Sequence, residues 1–212
     1  MSRHAASLSS RSFAGLGRAL LAAIAVGTLV AACAGNQAAL SDIRYDLGPL
    51  EAQPAPPSLP PLKVLEVSAP PTLDHDGILY RISGDAQRES RYANSRWTMS
   101  PARLLTQRLR TSLSSRATVL SGADAVPAPM LKIELTEFEQ VFDNANSSSG
   151  VLAARATLMQ GGKVIAQRSF ISRAPASSQD AAGGAAALRA ASDDFAGQIG
   201  AWLSVQAFAG TP

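Results

Sequence analysis

Side chains able to do chemistry are scarce in this sequence. Among its 212 residues there is one cysteine, Cys33, and two histidines, His4 and His75. A serine–histidine–aspartate relay would have to run through His75, in Leu73-Asp-His-Asp-Gly77, because His4 sits among small and basic residues at the start of the chain. No Gly-x-Ser-x-Gly elbow is present to hold an exposed serine nucleophile. Asp74, His75 and Asp76 could touch a cation, but a zinc site wants three or four convergent ligands, and no second histidine or cysteine is at hand. The pairs Gly161-Gly162 and Gly183-Gly184 match no phosphate-binding signature and read as a turn and a linker. Asp193-Asp194 reads as the polar face of a helix. These residues predict no catalytic site, no metal site and no cofactor.

Cys33 has a different chemistry, set by what precedes it. Arg3, His4, Arg11 and Arg18 lie in a basic stretch with no acidic residue, and the fourteen residues from Ala19 to Ala32 are small or aliphatic. That run is too short to cross a bilayer core as a helix and has the form of a secretory leader. Val30-Ala31-Ala32-Cys33 is similar to the lipobox of bacterial lipoprotein precursors: small side chains let an extended backbone enter a peptidase cleft, and the thiol accepts a diacylglyceryl group. Residues 1–32 are therefore expected to be a signal peptide cleaved between Ala32 and Cys33, with Cys33 lipidated and holding the chain to a membrane through its acyl groups. A plain secreted protein cleaved near the same place is the other reading. Ala34, where an aspartate would favour retention in the inner membrane, points to the periplasmic face of the outer membrane, with the inner membrane as the alternative. The leader also accounts for the charge: the chain carries 19 basic and 16 acidic residues, and three of the arginines lie in residues 1–18. The remainder is neutral, which excludes a nucleic-acid partner as the reason for the basic excess.

The elements downstream must make one domain. Residues 33–61 read as the lipidated cysteine, a tether and a spacer; five of the eight residues from Pro54 to Pro61 are proline, which favours an extended polyproline helix. Ile43–Pro49 is a brief extended piece within that stretch. Residues 62–207 read as a single domain. Leu62–Ser68 predicts a central strand, Gly77–Ile82 a second, Gly84-Asp85 a turn, and Ser90–Ala93 a third strand. Ser100 as N-cap, Pro101 at the first helical position and Met99 stapled to Leu104 predict a helix to about Ser115, with Leu105, Leu109 and Leu113 inward and Arg103, Gln107 and Arg110 on the other side. Leu131, Ile133 and Leu135 alternate inward, and the phase changes near Glu137–Phe138, which predicts a bulge. Asp143–Gly150 reads as a loop, and Val151–Met159 and Lys163–Ile171 as a hairpin turning at Gln160-Gly161-Gly162. A last helix is expected over about Ala185–Gln206, with Leu188, Phe195, Ile199 and Trp202 on one face. The fold class is α/β: a two-layer sandwich with a mixed, mainly antiparallel sheet and two helices packed on one face.

Several of these residues carry a family likeness. Tyr45-Asp-Leu-Gly48 soon after the lipidated cysteine, then Ile78-Leu-Tyr-Arg81, Tyr92 and Trp97-Thr-Met-Ser-Pro101 leading into the leucine stripe, resembles the ABC-type transport auxiliary lipoprotein family. Thr98 departs from the alanine that the family often has there. The likeness spans about residues 43–206. It implies an accessory lipoprotein of a lipid-carrying ABC system, docking a mammalian-cell-entry-type periplasmic subunit, and it is compatible with self-association into a symmetric homo-oligomer. Tyr80, Tyr92, Arg96 and Trp97 are the candidate partner contacts; the competing reading buries Tyr92 and Trp97 under the first helix, since aromatic rings are mostly core. The other functional readings are an envelope scaffold or assembly lipoprotein without a transport role, and a periplasmic hydrolase working through His75.

Overall fold

Alternation along the longest apolar stretches decides where the sheet forms. The computed structural model of the chain describes residues 42–50, 59–82 and 87–208. The leader, the cleavage site at Ala32–Cys33, prolines 54, 56 and 57 of the spacer and the Gly84-Asp85 turn lie outside the described residues. The elements run β1 (Ile43–Tyr45), β2 (Leu62–Val64), β3 (Gly77–Ile82), β4 (Glu89–Trp97), α1 (Pro101–Ser114), β5 (Val119–Leu120), β6 (Met130–Asn144), β7 (Ser147–Gln160), β8 (Lys163–Pro175) and α2 (Ala181–Ser204).

All eight strands join one sheet, organised around β6. One side of β6 pairs antiparallel with β7 along nearly its whole length, and β8 continues the meander. The other side is shared: β2 runs parallel to its first residues, Val64 opposite Leu131, and β3 runs parallel to its last, Leu79 opposite Glu139. β4 pairs antiparallel with β3, β1 parallel with β4, and β5 parallel with β2. The long ladders are antiparallel, so the sheet is mixed and mainly antiparallel, and the two helices pack on it and on each other.

The expected bulge is present. The β6–β7 register passes from Leu135–Ala154 to Glu137–Ala153, leaving Thr136 unpaired in the ladder, and its hydroxyl donates to Ala153 O at 3.0 Å. Leu131, Ile133 and Leu135 before the bulge and Phe138, Gln140 and Phe142 after it therefore share the helix-facing side. At the other end of β7, Gly161 and Gly162 have φ of 56° and 76°. Two successive left-handed residues make the tight hairpin whose twist matches that of its strands.

α1 forms as its sequence suggests, with Pro101 in the first turn and Leu105, Leu109 and Leu113 fully buried. Its cap differs: Ser100 occupies the N-cap position, but its hydroxyl makes no capping hydrogen bond. Arg110 does not stand on a free polar side. Nε and Nη2 both donate to Val64 O, at 3.1 and 2.9 Å, while Thr106 Oγ1 accepts from Val67 N at 2.9 Å. These contacts satisfy backbone groups where the expected strand 62–68 leaves the ladder after Val64, rejoining β6 only at Ser68.

Three further segments depart from expectation. Ile43–Gly48 belongs to the domain rather than to the tether: β1 pairs with β4, and Leu47 is buried in the core. Ser147–Gly150 is strand, not loop, since the turn is confined to Ala145 and Asn146. A Cβ on Gly150 would lie 2.5 Å from Leu188 N and 2.6 Å from Ala187 C, so the small residues there let the backbone of α2 cross the sheet closely. α2 itself starts at Ala181, four residues before the expected Ala185, because Asp180 caps it by accepting from Gly183 N at 2.8 Å. Gly183 and Gly184 are thus its first turn, not a linker. Leu188, Phe195, Ile199 and Trp202 share its buried face, and Phe170 of β8 meets Phe195 and Trp202 edge-on.

Candidate functional site

The four candidate contact residues do not form one surface. Tyr80 sits in β3 opposite Ser90 of β4, which places Tyr92 diagonally next to it on the helix-facing side. The two rings lie 4.9 Å apart, and Phe142 of β6 meets Tyr80 edge-on at 5.9 Å. All three rings are half-buried. Tyr92 Oη donates to Gln140 Oε1 at 2.8 Å, and Gln140 Nε2 donates to Ser148 Oγ at 2.8 Å. Gln140 has no exposed surface, so this relay leads from the aromatic patch to the sheet beneath the start of α2. Burial, then the Asp180 carboxylate and Tyr80, push the Tyr92 hydroxyl up to about 12. It remains a protonated donor at any physiological pH.

Trp97 corrects the expectation that it could touch a partner. It is wholly buried, and its ring packs edge-on against Phe138 at 5.5 Å. An indole whose exposed area is zero supplies core packing, not contact surface. Arg96, its neighbour in the strand, faces the opposite side of the sheet. There it stands in register with Arg44, which forms an ion pair with Asp76 at 3.1 Å. Tyr80 and Tyr92 are therefore brought together, and Arg96 and Trp97 are parted from them and from each other.

A second constellation escaped the sequence reading. Leu47 is buried, and the motif around it is held by the helices: Arg108 Nη1 of α1 donates to Gly48 O at 2.8 Å, and Arg189 Nη2 of α2 donates to Pro49 O at 3.1 Å. The Arg108 side chain is only 4% exposed and forms an ion pair with Asp193 of α2. One guanidinium thus joins both helices to the segment that follows Cys33 in the chain. A cavity of about 270 Å³ lies there, lined by Asp46, Leu47, Leu50, Leu104, Gln107 and Arg108. Arg108 lies four residues after Leu104, on the flank of the leucine stripe, and that spacing is the signal that could have placed it inward. Asp193, read as solvent-facing, is its partner; Asp194 accepts from Ser172 Oγ of β8 at 2.7 Å.

The histidine loop spends its polar groups on its own structure. Gly77 N donates to His75 Nδ1 at 3.0 Å, and Asp76 is paired with Arg44. Among the described residues no group of three or more histidine, cysteine or acidic side chains could hold a metal ion, and no helix is long and apolar enough to cross a membrane.

Comparison with known proteins agrees with the family likeness carried by Tyr45–Gly48 and Ile78–Pro101. The family described as the ABC-type transport auxiliary lipoprotein component matches residues 45–200, from β1 through most of α2. A crystal structure of a Xanthomonas campestris protein, assigned to a family of unknown function, superimposes with a TM-score of 0.63 at 21% identity, covering 77% of this chain and 92% of that one. A crystal structure of an uncharacterized protein superimposes with a TM-score of 0.64 at 19% identity, covering 77% of this chain and 99% of that one. Both likenesses establish a shared fold. No curated protein matches the sequence.

Proposed function

This chain belongs to the ABC-type transport auxiliary lipoprotein family, and we propose that within such a system it is the subunit that holds a mammalian-cell-entry-type periplasmic component at the outer membrane. Association with an ABC transport system and a place in the cell envelope follow from membership; lipid as cargo, docking as the task and the outer membrane as the site are the proposal. Cys33 is its lipid attachment point, and the domain has no catalytic activity. The observation that carries this reading is the extent of the family match, which runs from the last residue of β1 through β8 and most of α2. The domain as a whole, not a borrowed motif, is of the accessory type.

The arrangement of the described residues fits that task. The segment after the proposed anchor is not left loose at the domain's edge: Thr98 N donates to Tyr45 O at 2.8 Å, and arginines from both helices hold Gly48 and Pro49. Tethering to a membrane raises the effective concentration of a domain's surface for a membrane-bound partner. The half-buried Tyr80–Tyr92–Phe142 patch, with one tyrosine hydroxyl fixed by Gln140, has the amphipathic character of interface anchors. Arg96 would act on a separate face.

Two experiments in cells test this. Metabolic labelling with a clickable fatty acid should mark the chain and spare Cys33→Ser; equal labelling of both removes the anchor. A photo-crosslinking residue in place of Tyr80 should capture the periplasmic transporter subunit. Adducts only to the outer membrane's own assembly proteins would support the envelope-scaffold reading instead.

A further inference from the structure

The longest open edge of the sheet, among the described residues, is that of its last strand. Among the described residues β8 pairs with β7 alone, and its 13 residues offer about 40 Å of edge at about 3.3 Å per residue. The other terminal strands, β1 and β5, have three and two residues, too few to template a further strand. Along β8 alternate peptide groups turn away from β7 with donors and acceptors available. Protein edges of this length are usually blunted by proline, by irregularity or by cover. Here the one proline, Pro175, is the last residue, and the one register shift, near Ile165, leaves the ladder regular from Ala166 to Pro175. Ile171 is 70% exposed on this strand and Val164 58%.

Charge says what could lie there. β8 carries Lys163, Arg168 and Arg173 and no acidic residue, and β7 carries Arg155 and none. Glu134 answers Arg155, and Asp143 reaches Arg173 at 3.8 Å, whereas Arg168 lies over the Phe170 ring at 5.0 Å and forms no ion pair among the described residues. Two copies of β8 paired antiparallel would set three cations against three with no acid on either strand, which opposes pairing. An anionic membrane would attract the cations but could not satisfy the outward peptide groups. An extended, acidic segment of a partner protein does both.

We propose that β8 is a strand-addition edge that accepts an extended acidic segment of a partner, main-chain hydrogen bonds supplying the pairing and Lys163 and Arg168 the selection. It rests on the docking reading above and gives that reading a surface and a partner chemistry.

The full-length chain, purified from membranes in detergent, is titrated with a fluorescent peptide of about twelve residues alternating glutamate and valine. Expected are saturable binding, new hydrogen-exchange protection of amides between Ala166 and Ala174, and affinity about tenfold weaker in Lys163→Glu/Arg168→Glu. The more conservative Arg168→Gln should weaken it less. Both variants should melt with the parent, because neither cation is buried. A lysine–valine peptide, and a glutamate peptide with proline at alternate positions, should not bind. Equal binding of acidic and basic peptides, protection elsewhere, Ser169→Cys disulfide pairing between two copies, or protection by phosphatidylglycerol vesicles in place of the peptide would overturn the inference. A charge-reversed chain that still recovers the transporter subunit from cells would overturn it while leaving docking intact. Peptide binding at β8 without any transporter subunit in the cell would do the opposite.

Discussion

Removing the carboxylate of Asp193 should cost more than removing the arginine it serves. The Arg108 side chain is 4% exposed, whereas that of Asp193 is 41% exposed. In Asp193→Ala the guanidinium stays buried with Gly48 O as its remaining acceptor, at 2.8 Å. Breaking a fully buried pair in this way costs about 3–5 kcal/mol, and a surface pair contributes about 0–1 kcal/mol. With one partner buried and the other two-fifths open to water, about 2 kcal/mol is expected, or a fall in Tm of roughly 4–8 °C for a domain of this size. Arg108→Met keeps the stem's packing and leaves Asp193 free to hydrate, so its cost should be about 1 kcal/mol or less. Arg108→Met/Asp193→Leu should recover much of the loss. Thermal and urea unfolding of the single and double variants measure the cycle. Hydrogen exchange at Thr98, whose amide donates to Tyr45 O, reports whether the β1 segment loosens with it. A loss below about 0.5 kcal/mol in Asp193→Ala, or Arg108→Met proving the costlier change, would refute the clamp.

Three further outcomes follow from contacts described above. Gly150→Ala drives a Cβ into the α2 backbone at Leu188 and should cost about 1–3 kcal/mol, whereas Gly197→Ala, with nothing within 4 Å, should stabilise α2 by up to about 1 kcal/mol in the same melts; two equal effects would mean the helix does not cross there. The Asp180 carboxyl is held below the ordinary carboxylate value by Gly183 N–H and then by Ser178 Oγ. Its contribution is therefore present above that ordinary value and lost as pH falls through the lowered one, so the protection factor of the Gly183 amide, corrected for the intrinsic exchange rate at each pH, should fall in acid, and Asp180→Asn, which keeps an acceptor oxygen, should flatten that dependence; the same acid profile in both would rule out the cap. Leu109→Ala empties a fully buried site and should cost about 2–5 kcal/mol, with exposed Arg103→Ala near neutral, a comparison that equal melting temperatures would defeat.

Local rules were legible in the residues and long-range partnerships were not. The leucine stripe of α1, the phase change at Thr136 and the glycine turn after Gln160 are each determined by neighbours within a few positions, and each stands where periodicity and turn chemistry predict. Arg108 and Asp193 are 85 residues apart, and although its spacing from Leu104 turns Arg108 inward, nothing in either helix alone names its partner. The same holds for β1, whose three residues become a strand only because β4 is there to receive them. Ser147–Gly150 misled for an instructive reason. Serine and glycine are turn residues by propensity, but here their small size is what the closely packed backbone of α2 demands, and tertiary packing overrode propensity. Of the candidate contacts, Tyr80 and Tyr92 meet because the β3–β4 register brings them together, while Trp97 goes to the core and Arg96 to the other face.

Docking is the central claim, and recovery of a complex tests it most directly. The chain, tagged at its C-terminus and expressed at its native level, is purified from detergent-solubilised envelopes, and the co-purifying proteins are quantified against a Cys33→Ser strain. The account predicts that a mammalian-cell-entry-type subunit of an ABC system is recovered with the wild-type chain in amounts comparable to the chain itself, and that its recovery falls when Cys33 is replaced. Recovery of outer-membrane assembly proteins with no ABC-system subunit, or of no partner at all, would contradict it.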